Sequence, residues 1–82
     1  PAARKWLRGH QPQTAPALSE REWEVLEHVA RGLTNPQIAV ALSLSENTVK
    51  FHLQNIFQKL GVNNRTEAAG AYFRLRGLRP TR

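Results

Sequence analysis

The sequence contains no cysteine and no aspartate, and both absences exclude kinds of site. Without cysteine the chain can form neither a disulfide framework nor a thiolate zinc site, which fits a reducing cytoplasm. The three histidines, His10, His28 and His52, share no metal-ligand spacing and have no aspartate beside them. We therefore expect neither a metal site nor any other cofactor.

Two further absences concern membranes and catalysis. No apolar run approaches the length of a membrane span or of a signal-peptide core, so we expect no membrane partner. The chain has no glycine-rich phosphate loop, no nucleophile elbow and no pair of carboxylates on an apolar face. These absences indicate a binding protein and not an enzyme.

Positive charge dominates the second part of the chain. Twelve Lys and Arg against six Glu give a net charge of +6. Four of the glutamates crowd residues 20–27, whereas residues 35–82 carry seven Lys and Arg and only Glu46 and Glu67. A basic region behind an acidic first helix predicts a polyanionic partner on one side of the fold. Charge alone does not separate DNA from RNA or from an anionic membrane.

The 82 residues suffice for one small domain. Residues 1–17 are predicted to be a linker or the remnant of a preceding domain, because three prolines interrupt them. Within them, residues 2–9 could instead form one or two basic helical turns. This beginning predicts that the chain is a fragment of a longer protein. We expect the folded domain over residues 18–78 and a basic tail over residues 79–82.

The spacing of apolar residues predicts an all-α fold with four helices, near residues 19–31, 35–42, 45–60 and 64–76. Each helix begins after a residue whose side chain can cap it: Ser19, Thr34, Ser45 and Asn64. Glycine is expected to end the first and the third helix. The second and third helices are joined by a turn of about three residues, which is the sequence form of a helix-turn-helix.

One carboxylate in the first helix is expected to need a partner. Glu22 forms a capping box with Ser19, but it also shares an arc of the helix with the apolar Leu26 and Val29. An unpaired buried charge is costly. Arg65, at the start of the fourth helix, is our hypothesis for the partner.

The third predicted helix has an apolar stripe and an unusual opposite side. Four residues form the stripe: Val49, Leu53, Ile56 and Leu60. The opposite side, here called the outer face, combines one cation, three amides and one aromatic ring without a carboxylate: Asn47, Lys50, Phe51, Gln54 and Gln58. Such groups can bond to base edges or contact a thymine methyl group. The alternative interpretation is a solvated helix surface with one stray phenylalanine.

The fourth predicted helix has two apolar strips. The stronger one points inward and consists of Ala68, Ala71, Tyr72 and Leu75. The weaker one contains Phe73, which is either a surface or core-edge residue or a helix-to-helix dimer contact. The arginine-rich tail from Arg74 onward is either a solvated end or an additional phosphate contact.

Residues 19–69 resemble the LuxR/GerE-type (NarL/FixJ-like) DNA-binding domain of bacterial transcription regulators. Six linked motifs carry the resemblance: L-S-x-R-E, A-x-G-x-T-N, I-A-x-x-L, S-x-x-T-V-K-x-H, K-L-G-V and N-R-T-E-A. Lys50 and the K-L-G-V stretch are more similar to response regulators than to autoinducer receptors. Phe51 replaces the smaller aliphatic residue often found at its position in response regulators, so their preferred base sequence cannot be transferred.

The resemblance implies a four-helix domain that binds double-stranded DNA sequence-specifically, as the output domain of a transcription regulator, with the third helix in the major groove. The implied base contacts are Lys50, Phe51 and Gln54, to which we add Asn47 from the same face. The predicted phosphate contacts, some of which lie at family positions that instead brace the fold, are Thr34, Asn35, Ser45, Thr48, Gln58, Lys59 and Arg65. The resemblance also implies a homodimer through the fourth helix, with the predicted contacts Ala69, Phe73 and Arg76. RNA polymerase is a further candidate partner.

A protein-interaction module is the rival hypothesis from another class. In it, the side of the third helix that bears Lys50 would dock an acidic protein. A basic amphipathic membrane binder is disfavoured, because this side carries a single lysine among amide and aromatic neighbours instead of a dense Lys/Arg row. Steep salt dependence together with base-sequence sensitivity would distinguish DNA binding from protein docking.

Overall fold

The computed structural model describes residues 17–79, which form four α-helices and no strand. α1 spans Glu20–Ala30, α2 Asn35–Leu42, α3 Glu46–Leu60 and α4 Arg65–Leu75, and a 3-10 turn follows over Arg76–Leu78. Each boundary of the four helices lies within one residue of its predicted position, so the predicted fold class is confirmed. The predicted linker, except residue 17, and the predicted tail, except Arg79, lie outside the described residues.

The predicted residues cap all four helices. Backbone N–H groups of Glu22, Gln37, Thr48 and Glu67 donate to the side chains of Ser19, Thr34, Ser45 and Asn64 over 2.9–3.3 Å. In the first two helices the reciprocal bond of a capping box is present as well. At α4 the Glu67 carboxylate accepts instead from the N–H of Asn63, one residue before the cap. The reciprocal bond of a capping box is therefore shifted by one donor at α4.

The turn of the helix-turn-helix depends on one residue in a left-handed conformation. Ser43 ends α2 with φ 58° and ψ 45°, and the N–H of Leu44 donates back to the carbonyl of Ala39 over 2.8 Å. This is the backbone pattern by which glycine commonly ends helices. Gly61 ends α3 in the same way, with φ 68°. The C-terminal ends of α2 and α3 are thus both closed by backbone hydrogen bonds.

The core lies between α1, α3 and α4, with α2 packed against α3. Its buried members on α3 and α4 come from the predicted apolar stripes, and α1 and α2 supply the others: Trp23, Val25, Leu26, Val29, Ile38, Ala39, Val49, Leu53, Ile56, Ala68 and Ala71. The Trp23 and Tyr72 rings meet edge to face, with centroids 6.5 Å apart. Because the Val49–Leu53–Ile56 stripe of α3 faces this core, the opposite side of α3 is held at the surface in a fixed orientation.

The described part of the chain also contains no helix that is both long and apolar enough to span a membrane.

Beyond α4 the chain folds back onto α1. Arg79 donates to the Glu27 carboxylate over 3.0 Å, and its guanidinium lies 5.9 Å from the centre of the Trp23 ring. The sequence predicted either a solvated tail or a phosphate contact. Arg79 is not simply solvated, because it is bonded to Glu27, and the phosphate contact stays a prediction.

Candidate nucleic-acid interface

The outer face of α3 lies at the surface, as the sequence predicts. All five of its residues are exposed, and Phe51 is 60% exposed. Its four polar side chains make no hydrogen bond or ion pair within residues 17–79: Asn47, Lys50, Gln54 and Gln58. Glu46, the one carboxylate in the sequence of α3, is in the first turn and makes no ion pair with Lys50. The polar groups of the outer face are therefore available to a ligand.

The N-terminus of α3 borders the outer face. Ser45 caps the helix, and its hydroxyl also lies 2.9 Å from the Thr48 hydroxyl. Both hydroxyl groups, which the sequence predicts as phosphate contacts, are thus used within the cap. Of the N–H groups of the first turn, that of Thr48 donates to Ser45, whereas those of Glu46 and Asn47 have no partner one turn earlier and remain available to an anion.

Arg65 fastens the loop before α2 to the start of α4. Its Nη1 donates to Asn35 Oδ1 over 2.6 Å, and its Nη2 donates to the carbonyl oxygen of Leu33 over 2.5 Å. Because the amide oxygen of Asn35 is occupied, the Asn35 NH2 group is the free donor at the N-terminus of α2. Arg65 therefore braces the fold and orients Asn35, another predicted phosphate contact.

The partner of Glu22 is Lys59, so the Arg65 hypothesis is wrong. Lys59 Nζ lies 2.8 Å from Glu22 Oε1, which also accepts the N–H of Ser19 over 2.8 Å. The side chain of Glu22 is 6% exposed and that of Lys59 39%. Lys59 approaches Glu22 from the C-terminal end of α3, whereas Arg65 lies beside the N-terminus of α2. Two of the three N–H donors of Lys59 remain for a second acceptor.

The carboxyl group of Glu22 is held in its charged form. Burial by itself would raise its pKa. The hydrogen bond from Lys59, the Ser19 hydrogen bonds and the positive charge of Lys59 outweigh burial, and the net pKa lies below the ordinary value of 4.5. At neutral pH this buried carboxylate and the Lys59 ammonium therefore form an ion pair that ties α3 to α1.

The carboxylates of α1 also neutralise cations elsewhere. Glu24 pairs with Arg21 over 3.2 Å, and Glu27 pairs with both Arg31 and Arg79 over 2.8 and 3.0 Å. Within residues 17–79 four cations have no acidic partner: Lys50, Arg65, Arg74 and Arg76. The acidic first helix thus holds the fold together, and free positive charge remains on α3 and α4.

The predicted dimer surface on α4 is partly exposed. Phe73 is 55% exposed, its ring meets that of Tyr72 at 5.6 Å, and the Arg76 guanidinium lies 5.5 Å from its centre. Ala69 is half-buried on the same helix. Phe73 thus contacts Tyr72 edge to face and Arg76 through its ring, and about half of its surface stays uncovered.

Residues 16–71 match the family described as bacterial regulatory proteins, luxR family. This chain belongs to the luxR family. It is similar to NarP, the nitrate/nitrite response regulator protein of Escherichia coli K12, with 47% identity over 60 residues that cover 73% of this chain and 28% of NarP. It is also similar to the CsgBAC operon transcriptional regulatory protein of the same organism, with 51% identity over 51 residues that cover 62% of this chain and 24% of that protein. The chain spans less than a third of either relative.

Solved structures agree with the assignment to the luxR family. The response regulator ChrA of a heme-sensing two-component system matches with a TM-score of 0.70 and 43% identity, over 93% of this chain and 38% of ChrA. The DNA-binding domain of the response regulator ComA, solved in complex with the anti-activator RapF, matches with a TM-score of 0.63 and 45% identity. That match covers 65% of this chain and 91% of the ComA domain. The fold is therefore that of response-regulator DNA-binding domains, a family of transcription regulators and not an enzyme class.

Some features of this luxR-family domain were not predicted from the sequence. Val40 on α2 is 82% exposed although it is aliphatic, and nothing in the structure explains its exposure. The half-buried His52 and Asn55 on α3 received no binding role from the sequence. Residues 17–79 contain no group of three or more His, Cys, Asp or Glu side chains that could hold a metal ion.

Proposed function

We propose that this luxR-family domain binds double-stranded DNA sequence-specifically, with α3 in the major groove. The observation that carries the proposal is the outer face of α3, where four polar side chains that have no partner within residues 17–79 lie beside the exposed ring of Phe51. The major groove is wide enough for an α-helix, and ammonium and amide groups match the base edges within it. The names of the relatives, a response regulator and an operon regulator, support a role in transcription.

Four side chains of the outer face are the proposed base readers. Lys50 would donate to guanine, and Gln54 would pair with adenine through both atoms of its amide, each good contact discriminating by roughly 1–3 kcal/mol. Asn47 on the same face could also recognise adenine. Phe51 would contact a thymine methyl group, and its large ring predicts a base preference different from that of relatives with a small aliphatic residue there.

Phosphate contacts would set the position of α3 in the groove. The first turn of α3 presents free backbone N–H groups. At α2, Pro36 has no N–H and that of Gln37 donates to Thr34, so Asn35 supplies the donors there, through its backbone N–H and its free amide group. Gln58 and Lys59 lie towards the C-terminal end of α3, and Lys59 can bind a phosphate with the N–H donors that Glu22 does not use. Thr34, Ser45, Thr48 and Arg65 would act chiefly by shaping these two helix N-termini, because their side chains are already hydrogen-bonded.

We further propose that two copies bind two half-sites about one helical turn apart. One small domain buries too little surface for tight binding on its own. The partly uncovered ring of Phe73, with Ala69 and Arg76 beside it on the end of α4, would provide the contact between the two copies. A dimer predicts a repeated half-site in the preferred DNA. RNA polymerase is a further proposed partner, to which no residue is assigned.

Docking of a partner protein is a second candidate function. The solved complex of the ComA domain with RapF supports it, because that structural relative is bound by a protein. A protein partner would compete with DNA if it covered the outer face of α3. The two functions therefore make different predictions about duplex DNA alone.

The decisive experiment is selection of bound duplexes from a random-sequence pool at two salt concentrations. We expect one enriched motif, present as a repeat, and a steep decrease of affinity with salt, because neutralised phosphates release counterions. Binding without enrichment would mean that specificity is supplied elsewhere. Absence of binding at low salt would refute the proposal and favour the protein-docking function.

A further inference from the structure

We infer that His52 and Asn55 form a second contact row on α3, which binds the phosphates along one wall of the groove. This inference rests on the proposed DNA binding and adds two residues to it. Both side chains are half-buried. At 100° per residue they lie three positions and about 60° apart around the helix axis, and Asn55 lies about 40° from Phe51 at the edge of the outer face. The two residues thus occupy the flank between the outer face and the core.

The two ring nitrogens of His52 have different surroundings. Nδ1 is completely buried and has no hydrogen-bond partner. Nε2 is not among the buried unpartnered atoms and also makes no hydrogen bond within the described residues, so it lies at the surface. A buried N–H group without an acceptor is rare in proteins. We therefore assign the proton of the neutral ring to Nε2, which makes Nε2 a free donor at the surface.

Asn55 has the same character. It is half-buried, it lies on the same flank of α3, and it forms no hydrogen bond within residues 17–79. Polar side chains that are partly withdrawn from water are usually hydrogen-bonded within the protein. Thr48 and Lys59 lie on this flank as well, but their polar groups already bind Ser45 and Glu22. Lys59 keeps two N–H donors for a further acceptor, whereas His52 and Asn55 are the polar side chains of this flank that make no hydrogen bond at all within residues 17–79.

The dimensions of the major groove indicate that DNA phosphates are the partner of these two side chains. An α-helix with its side chains is about 10–12 Å wide and the major groove about 12 Å, so a helix whose outer face meets the bases has its flanks against the phosphate walls. Half to two-thirds of protein–DNA hydrogen bonds go to phosphate and sugar. His52 Nε2–H and the Asn55 NH2 group would donate to phosphates on the flank beside Phe51. Because both donors are neutral, they fix position without releasing counterions.

The test compares His52→Phe with His52→Gln at pH 8. Phenylalanine keeps the ring but removes the Nε2–H donor, whereas the amide nitrogen of glutamine can take a position close to Nε2. We expect His52→Phe to weaken DNA binding about tenfold and His52→Gln to stay within about threefold of wild type. Asn55→Ala should weaken binding several-fold. His28→Phe is the matched control, because His28 is a half-buried histidine on α1. The His28→Phe variant should bind DNA with unchanged affinity.

Two readouts separate a phosphate contact from a structural role. The slope of log affinity against log salt should be the same for His52→Phe and wild type, since a neutral donor releases no ion. The second readout uses duplexes in which single phosphates are replaced by uncharged methylphosphonate. At one position the replacement should weaken DNA binding by wild type but not by His52→Phe. Circular dichroism melting confirms that each variant is folded.

Three results would overturn the inference. In the first, both folded variants, His52→Phe and Asn55→Ala, bind DNA as tightly as wild type. In the second, every methylphosphonate substitution weakens the binding of His52→Phe by the same factor as that of wild type. Both leave DNA binding itself intact. In the third, wild type binds no duplex, and the proposed function then fails together with the inference.

Discussion

The ion pair between Glu22 and Lys59 leads to a prediction about stability. Replacing Glu22 with glutamine keeps the shape of the side chain and the oxygen that accepts from Ser19 and Lys59. The variant loses the negative charge and has an NH2 group in place of Oε2, which makes no hydrogen bond within residues 17–79, so its effect measures chiefly the contribution of that charge.

The expected magnitude lies between two limits. Breaking a fully buried ion pair typically costs about 3–5 kcal/mol, whereas an exposed pair contributes about 0–1 kcal/mol. Glu22 is buried, but the side chain of Lys59 is 39% exposed, so solvent screens the pair. We expect Glu22→Gln to lower the free energy of unfolding by about 1–2 kcal/mol at pH 7. For a domain of this size, that lowers Tm by about 4–16 °C.

The same pair predicts how the difference depends on pH. Because folding lowers the pKa of Glu22, its charge stabilises the folded state above the pKa of the unfolded chain, and this contribution is lost as pH falls through the lower folded pKa. The difference between wild type and Glu22→Gln should be full at pH 6–7 and should shrink below pH 4.5, the ordinary value for glutamate. Denaturant unfolding followed by circular dichroism at several pH values measures this difference.

Glu24→Gln is the matched control for this experiment. Glu24 is in the same helix but forms an exposed pair with Arg21, and its replacement should cost less than about 1 kcal/mol. Equal stability of Glu22→Gln and wild type at pH 7 would refute the reasoning. A difference that is as large at pH 3 as at pH 7 would also refute it, because it could not come from the charge of Glu22.

The remaining predictions concern single contacts, each measured by denaturant unfolding. Ser43→Gly should stabilise the domain by about 0.5–1 kcal/mol, because Ser43 has a positive φ that glycine adopts without strain, and a loss of stability would contradict this. Arg65→Lys should cost about 1–2 kcal/mol, since an ammonium group cannot reproduce the fork that binds both Asn35 and Leu33, and it should also weaken DNA binding through Asn35. An unchanged Arg65→Lys variant would show that the fork is dispensable. Arg79→Ala should cost about 1 kcal/mol through loss of the Glu27 pair and the contact with Trp23, and no change would show that Arg79 is only a solvated residue.

The fold was largely predictable because its signals are local. Helix stripes, N-caps and the two glycine ends depend on residues within a few positions of one another, and all of these predictions are confirmed. The outer face of α3 was predictable for the same reason, since the helical period alone places Gln54 and Gln58 opposite Val49 and Ile56.

Contacts between distant residues were less predictable. The burial of Glu22 called for a cation, but the sequence could not choose between Lys59 and Arg65, because the choice depends on how α3 and α4 cross α1. The position of Arg79 on Trp23 likewise follows from the 3-10 turn after α4, for which no pattern was recognised. The buried Nδ1 of His52 is visible only when the whole core is assembled.

The central claim is that the outer face of α3 reads bases, and two glutamines on that face test it most directly. We would select duplexes from a random pool with wild type, Gln54→Ala and Gln58→Ala under identical conditions. The account predicts that Gln54→Ala loses preference at one base pair of each half-site, whereas Gln58→Ala binds more weakly but selects the wild-type motif. An unchanged motif with Gln54→Ala, or no enriched motif with wild type, would contradict the claim.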